Sequence, residues 1–168
     1  MTVSLTFDFR AAAVETLSTA LDFASNPDIT TQILQEGTAS LGVLNASSTP
    51  AVSRVWSDSV GLTAGALTLN LAALSRGAEL AALDLTGLKV QFIKIFSKSA
   101  NTSSITMSTG ASNGYAINLA TRVLEISPGE CMMFKRNESL PDVASGARTI
   151  DFASSDVDAI FDIMIVAG

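Results

Sequence analysis

The sequence predicts an all-β fold, either a β-sandwich or a jelly roll, with room for one or two short helices. The main observation is a period-2 alternation of apolar and polar residues, which is the pattern of a half-buried strand. It runs through Val3–Phe9, Leu67–Leu71 and Ile105–Met107. Turn residues separate the apolar runs, as at Ser127-Pro128-Gly129-Glu130 and Asn113-Gly114. About eight short strands divided by such turns fit a sandwich or a jelly roll.

Some segments depart from simple alternation. Ala159–Val166 is apolar on both faces apart from Asp162, which predicts a central strand near the C-terminal end. In Leu88–Phe96 the apolar residues change from one face to the other, which predicts a β-bulge or burial of both faces. Ala11–Phe23 and Ala78–Leu85 are rich in Ala and Leu, and each is compatible with a short helix.

The length of 168 residues suits one domain with its own core. Because we find no internal repeat, low-complexity tail or linker, we predict a single domain over residues 1–168. Residues 1–36 are expected to form an arm, an extra strand or a helix. Met1–Leu5 lacks the basic and apolar segments of a secretory signal, and no stretch offers the roughly 20 apolar residues of a membrane span. We therefore expect synthesis in a cytoplasm, no export by this route and no membrane partner.

The charge content favours burial of surface against other copies of the chain or against a partner, and the alternative is a monomer with an under-charged surface. Charged residues make up 15% of the chain, against about 25% in a typical soluble domain, so the surface lacks the repulsion that keeps monomers apart. The net charge of −6 argues against a nucleic-acid partner, because phosphate binding needs clustered cations. The local series Lys89, Lys94 and Lys98 is interleaved with apolar residues and is interpreted as a solvated strand edge.

The residue chemistry favours a protein without catalytic, cofactor or metal sites. The chain has no histidine, which excludes Ser-His-Asp and Cys-His catalysis and His-based zinc sites. Its single cysteine, Cys131, lies in an apolar run and is predicted to be buried. The one candidate ion site is the carboxylate series Asp151, Asp156, Asp158 and Asp162, which lacks the glycine and terminal glutamate of a calcium loop. We interpret it as carboxylates of turns and strand edges, with Asp158 and Asp162 on a strand.

Two aromatic residues bear on a possible sugar site, because exposed rings serve as stacking platforms. Trp56 stands at the end of a strand and is interpreted as a core or interface anchor. Tyr115 is the single tyrosine. A sugar-binding or receptor-binding module would need exposed aromatic and polar residues around one of them.

Several short blocks, in order, resemble a group of small virion structural proteins of tailed bacteriophages and prophages. The resemblance covers Gly37–Gly168, whereas the first 36 residues match little, and the turn here lacks the second glycine of the group's Pro-Gly-Gly. The blocks are Gly37-Thr38, Val52-Ser53-Arg54-Val55-Trp56-Ser57-Asp58, Leu62-Thr63-Ala64-Gly65-Ala66, Leu69-Asn70-Leu71, Asp84-Leu85-Thr86-Gly87, Lys89-Val90-Gln91-Phe92-Ile93-Lys94-Ile95, Asn101, Ile126-Ser127-Pro128-Gly129 and Phe161-Asp162-Ile163-Met164-Ile165-Val166.

The resemblance implies a non-enzymatic β-sandwich of the phage particle. It would decorate or cement the capsid, or belong to the neck or tail, with itself and the major capsid or other virion proteins as partners. A trimer is the oligomer that the resemblance favours, because decoration proteins often occupy three-fold positions. The alternative is a receptor- or glycan-binding module of a tail fibre. A hydrolase of the bacterial envelope would need paired carboxylates in a cleft, and the sequence offers no such pair.

Overall fold

The computed structural model describes the backbone of residues 5–9, 12–15, 32–36 and 40–44, and both backbone and side chains of residues 47–75, 82–117, 123–135 and 140–168. The chain divides into two compact units, Ser4–Leu44 and a larger one that holds Asn45–Gly168. Each unit is described by itself.

The smaller unit consists of two antiparallel strand pairs. Strand β1 (Leu5–Phe9) pairs with β4 (Ser40–Leu44), and β2 (Ala12–Glu15) pairs with β3 (Gln32–Glu36). The alternation predicted from Val3 to Phe9 therefore corresponds to a strand. The possible helix over Ala11–Phe23 is wrong for Ala12–Glu15, because pairing with β3 overrides the helical preference of alanine. The rest of that segment lies outside the described residues.

The described part of the larger unit contains eight strands in two antiparallel sheets. The front sheet has the order β10-β7-β12-β5, and the back sheet has the order β6-β11-β8-β9. The strands are β5 (Arg54–Gly61), β6 (Ala66–Asn70), β7 (Val90–Ser97), β8 (Ile105–Thr109), β9 (Leu124–Ile126), β10 (Cys131–Lys135), β11 (Thr149–Ala153) and β12 (Ile160–Ala167).

Four short connections change sheet at one end of the larger unit, which we call the crossing end. They join β5 to β6, β7 to β8, β9 to β10 and β11 to β12. Hydrogen bonds tie them together: Gly65 N–H donates to Val157 O, and Gly129 N–H donates to Ser97 O, both at 3.0 Å. The connections from β6 to β7 and from β10 to β11 also change sheet and are longer.

The two sheets enclose one hydrophobic core. The core contains Leu69, Ile105 and Met107, three residues on the predicted inner faces, and the latter two are fully buried. The rings of Phe152 on the back sheet and Phe161 on the front sheet lie with their centroids 4.6 Å apart. Because apolar side chains from both sheets meet in one layer, the predicted all-β sandwich is confirmed.

Strand β12 is central, as predicted, with β7 on one side and β5 on the other. Its register with β7 shifts near its end: Val166 lies opposite Phe92, and Ala167 lies opposite Val90. Gln91 is therefore the extra residue of a β-bulge. This bulge explains the change of face within Leu88–Phe96, and the prediction of a bulge is confirmed.

No helix occurs among the described residues. Of the other predicted helical segment, Ala78–Leu85, residues 78–81 lie outside the described residues. Leu83 instead exchanges backbone hydrogen bonds with Leu74, at 2.8 and 2.9 Å, as an antiparallel bridge. In the part of the chain that the structure describes, no helix is long and apolar enough to cross a membrane.

The predicted turns have different outcomes. Gly129 has φ +81° and Glu130 N–H donates to Ser127 O at 3.0 Å, as the turn chemistry predicted. Asn113 has φ +54°, but Asn113-Gly114 does not join two paired strands directly. It lies inside the long connection from β8 to β9. A Cβ on Gly114 would meet Gly110 O at 2.3 Å, so close backbone approach requires glycine there.

Candidate interaction surface

The outer side of the front sheet, which we call the front face, carries several large apolar side chains. An antiparallel sheet with one solvated face normally alternates apolar-in and polar-out. Here Val55 is 39% exposed and Met133 is 38% exposed, while Phe96 and Met164 are half-buried. We define the front face by Val55, Ser57, Lys94, Phe96, Met133, Asp162 and Met164.

Strand alternation produces this face. On β12, Ile163 and Ile165 enter the core, so Met164 between them points outward. On β7, Ile95 enters the core, so Lys94 and Phe96 point outward on either side of it. Because these two strands are the central strands of the sheet, their outward side chains form the middle of the front face.

A depression of about 180 Å³ lies in this middle region. Strands β5, β7 and β12 all contribute to it, and its walls combine an ammonium group, a carboxylate, an aromatic ring and a thioether. The lining residues are Ser57, Lys94, Phe96, Asp162, Ile163 and Met164. The depression therefore offers apolar contact area together with one cation and one anion.

The charges of the front face are partly paired. Lys98 binds Asp162 and also lies 5.9 Å from the centroid of the Phe96 ring. The hydrogen bond from Lys98 holds the pKa of Asp162 below its usual value; the Ser59 hydroxyl and the charge of Lys94 act in the same direction, and partial burial opposes them.

The interpretation of the lysine series as a strand edge is wrong for Lys94, because β7 is a central strand. Lys89 instead pairs with Asp142 at 2.8 Å.

The structure does not bring the four predicted carboxylates into one site. Asp151, on β11, accepts hydrogen bonds from the Thr68 hydroxyl at 2.7 Å and from Ala111 N–H at 2.8 Å. Asp156 accepts from Thr102 N–H at 2.7 Å, which lowers its pKa. Asp158 precedes β12 rather than lying on it, and Asp162 pairs with Lys98. Among the described residues, no group of three or more His, Cys, Asp or Glu side chains is placed to hold a metal ion.

Side chains at the crossing end form hydrogen bonds with backbone groups of neighbouring connections. Asn101 makes a two-sided contact with one residue: its amide donates to Ile160 O at 2.8 Å, and its oxygen accepts from Ile160 N–H at 2.9 Å. Ser154 O–H donates to Ser104 O at 2.9 Å. These bonds fix the connection after β7 against the connection before β12. Beside them, Val157 and Ile160 are exposed, at 54% and 44%.

A second depression, of about 420 Å³, lies beside the crossing end on the back sheet. Four serines, one threonine and one glutamate, with one alanine, form its lining. The lining residues are Ser103, Ser104, Thr106, Glu125, Ala153, Ser154 and Ser155. Such a surface offers hydroxyl donors and acceptors to a polar ligand but no ring for stacking.

Both aromatic candidates for a sugar platform are buried. Trp56 is 5% exposed and its indole N–H donates to Ser75 O at 2.5 Å, so the interpretation as a core anchor is confirmed. Tyr115 is fully buried; its hydroxyl donates to Pro141 O at 2.7 Å and accepts from Val90 N–H at 3.1 Å. Burial raises the pKa of Tyr115, the charge of Asp142 adds to this, and the bond from Val90 opposes it.

The prediction that Cys131 is buried is wrong. Cys131 is exposed, because β10 is an edge strand of the front sheet and Cys131 alternates with the core-facing Met132 and Phe134. Sequence reasoning also missed Phe96, Met133 and Met164 as surface residues. The available signal was the presence of apolar residues on both faces of the same strands.

Comparisons with known proteins assign no family. No protein-family model matches the chain, and no curated protein matches it. Among solved structures, a chain from the cyanophage Pam1 capsid asymmetric unit is similar with a TM-score of 0.31 and 12% sequence identity. The alignment covers 68% of this chain and 84% of that chain. At this TM-score the likeness does not establish a shared fold.

Proposed function

We propose that this protein is a non-enzymatic structural component of a phage particle, which associates with itself and docks on the capsid, as a decoration or cement protein, or on the neck or tail. The observation that carries the docking part is the front face, with its apolar side chains around Lys94 and Asp162. The ordered sequence blocks support the phage particle as the setting. In this proposal the protein resides in the virion after synthesis in the host cytoplasm, as a homo-oligomer for which a trimer remains a prediction.

We also propose that the eight strands of the larger unit form a jelly roll. The strand orders support this, because the four short sheet-changing connections share one end and each of them joins one strand of the front sheet to one strand of the back sheet. Jelly rolls occur in viral capsid proteins and in lectins, so the fold is compatible with either function and selects neither. Residues 1–36 would then act as an arm or extra strands of a single domain over residues 1–168.

Binding to particles that lack the chain tests the proposed function. The purified protein is mixed with such particles, and co-sedimentation and electron microscopy measure its attachment. We expect attachment of the unmodified chain and loss of attachment for Met133→Glu, which places a charge on the front face. Val123 is 62% exposed just before β9 on the back sheet, so Val123→Glu is the matched control and should attach normally. Absence of attachment by the unmodified chain would reject the proposal.

The second candidate function is a receptor- or glycan-binding module of a tail fibre. The hydroxyl-lined depression at the crossing end favours it, whereas the burial of Trp56 and Tyr115 weighs against it. Nuclear magnetic resonance titration with lipopolysaccharide from the host provides the test. Chemical shift changes at Ser103, Ser155 and Glu125 that disappear in Glu125→Gln would support this candidate over docking through the front face.

A further inference from the structure

We infer that the outer edge of β5, which pairs with no other strand among the described residues, pairs antiparallel with the β5 edge of a second copy, around a two-fold axis at Trp56. Two front sheets would thereby join into one continuous sheet. The inference rests on the self-association in the proposed function, specifies a contact that produces it, and expects a dimer or an even multiple of it in place of the trimer that the resemblance favours. The partner is another copy of this chain, and the surface is the outer edge of β5, the last described strand on that side of the front sheet.

The backbone of β5 defines which groups are available for pairing. Leu62 N–H donates to Ala159 O at 2.8 Å, in register with the β5–β12 ladder. Because hydrogen-bonded pairs alternate along an antiparallel ladder, the even-numbered residues of β5 bond to β12. The backbone groups of Val55, Ser57, Ser59 and Gly61 therefore point away from the sheet.

The charges of β5 favour one register. Arg54 and Asp58 stand two residues on either side of Trp56, and both are exposed. Antiparallel pairing centred on Trp56 places Arg54 opposite the partner copy's Asp58, and the two-fold axis repeats this ion pair. Both pairs would occupy non-hydrogen-bonded positions, where opposing side chains approach most closely. The same register pairs Val55 with the partner copy's Ser57, so their outward backbone groups exchange hydrogen bonds.

Neighbouring registers lose this charge match. Centring the axis on Ser57 places Arg54 opposite Val60, and centring it on Val55 places Arg54 opposite Trp56. The next outward donor along β5 is Ser59 N–H. It already donates to the Asp58 carboxylate at 2.8 Å, so it is not available to a second copy, and the pairing ends there. The occupied Ser59 donor and the match of Arg54 with Asp58 together favour a short, closed contact between two copies over open-ended addition of strands.

Charge reversal in the full chain tests the contact. Light scattering after size exclusion and sedimentation equilibrium measure the association constant across micromolar concentrations. We expect a dimer, or an even multiple of it, for the unmodified chain. Arg54→Asp and Asp58→Arg should each weaken association by about tenfold or more, because each places like charges opposite one another. The double variant with both reversals restores opposite charges and should recover the association.

Further variants separate this contact from association through another surface of the chain. Ser57→Pro removes an outward N–H without disturbing the ladder to β12, so it should also abolish association while circular dichroism remains unchanged. Lys94→Glu, in the centre of the front face, should leave association intact. A monomer or a strict trimer in solution, or failure of the double reversal to recover association, would overturn the inference. If particle attachment persists in a variant that no longer dimerises, the proposed function stands and only the β5 contact is rejected.

Discussion

Lys98 and Asp162 form an ion pair on the front face, between the residue that follows β7 and the third residue of the neighbouring strand β12. Both side chains remain accessible, at 38% and 44% of their full exposure. Pairs this exposed typically contribute about 0.2–1 kcal/mol to stability. The pair therefore orients two side chains at the edge of the central depression more than it stabilises the fold.

The ion pair predicts a specific pH dependence of stability. Because the pKa of Asp162 is lower in the folded chain than in the unfolded chain, its contribution is present above the unfolded pKa, near 3.8. The contribution disappears as the pH falls through the lower, folded value. Asp162→Asn should therefore reduce the free energy of unfolding at pH 6 and reduce it by less near pH 3, as measured by urea denaturation at both values. An equal loss at both pH values would contradict a stabilising role for the ionised carboxylate.

Removal of the Tyr115 hydroxyl is expected to destabilise the larger unit without altering its fold. Tyr115→Phe leaves Val90 N–H and Pro141 O without their partner in the core region. The expected cost is about 1–3 kcal/mol, the penalty for a buried polar group that loses its hydrogen bond. Urea denaturation gives the magnitude. Tyr115 should also resist ionisation in the native chain above pH 10, so its absorbance change should accompany alkaline unfolding.

Cys131 is predicted to react rapidly with a thiol reagent in the native protein. Its side chain is exposed on an edge strand, in contrast to what the apolar run Cys131-Met132-Met133-Phe134 indicated. We expect one equivalent of reagent to be consumed at a rate close to that of the unfolded chain. Labelling that requires denaturant would show instead that another part of the protein covers β10.

The sequence predicts individual strands far better than the partners of those strands. Alternation is a local property, so the strand around Ile105 and the central position of β12 could be identified from side-chain pattern alone. The pairing of β12 with both β5 and β7 depends on contacts between distant parts of the chain, and no local pattern encodes it. For the same reason the apolar residues Phe96 and Met164 could not be assigned to a face before their neighbours in the sheet were known.

Asn101 should prove important for the rigidity of the crossing end, because one side chain satisfies both backbone groups of Ile160. Asn101→Ala removes both bonds, and also the bond from the amide to the Ser97 hydroxyl at 3.0 Å. Loss of the two bonds to Ile160 should cost about 1–3 kcal/mol, since each hydrogen bond contributes roughly 0.5–1.5 kcal/mol. Asn101→Asp is the matched comparison: it keeps the acceptor for Ile160 N–H but sets a carboxylate oxygen against Ile160 O, so it separates the bond to Ile160 N–H from the bond to Ile160 O. Hydrogen exchange at Ile160 N–H gives a local measurement. Exchange should be fastest in Asn101→Ala and slowest in the unmodified chain, and equal rates in all three would show that the connection before β12 is held by other contacts.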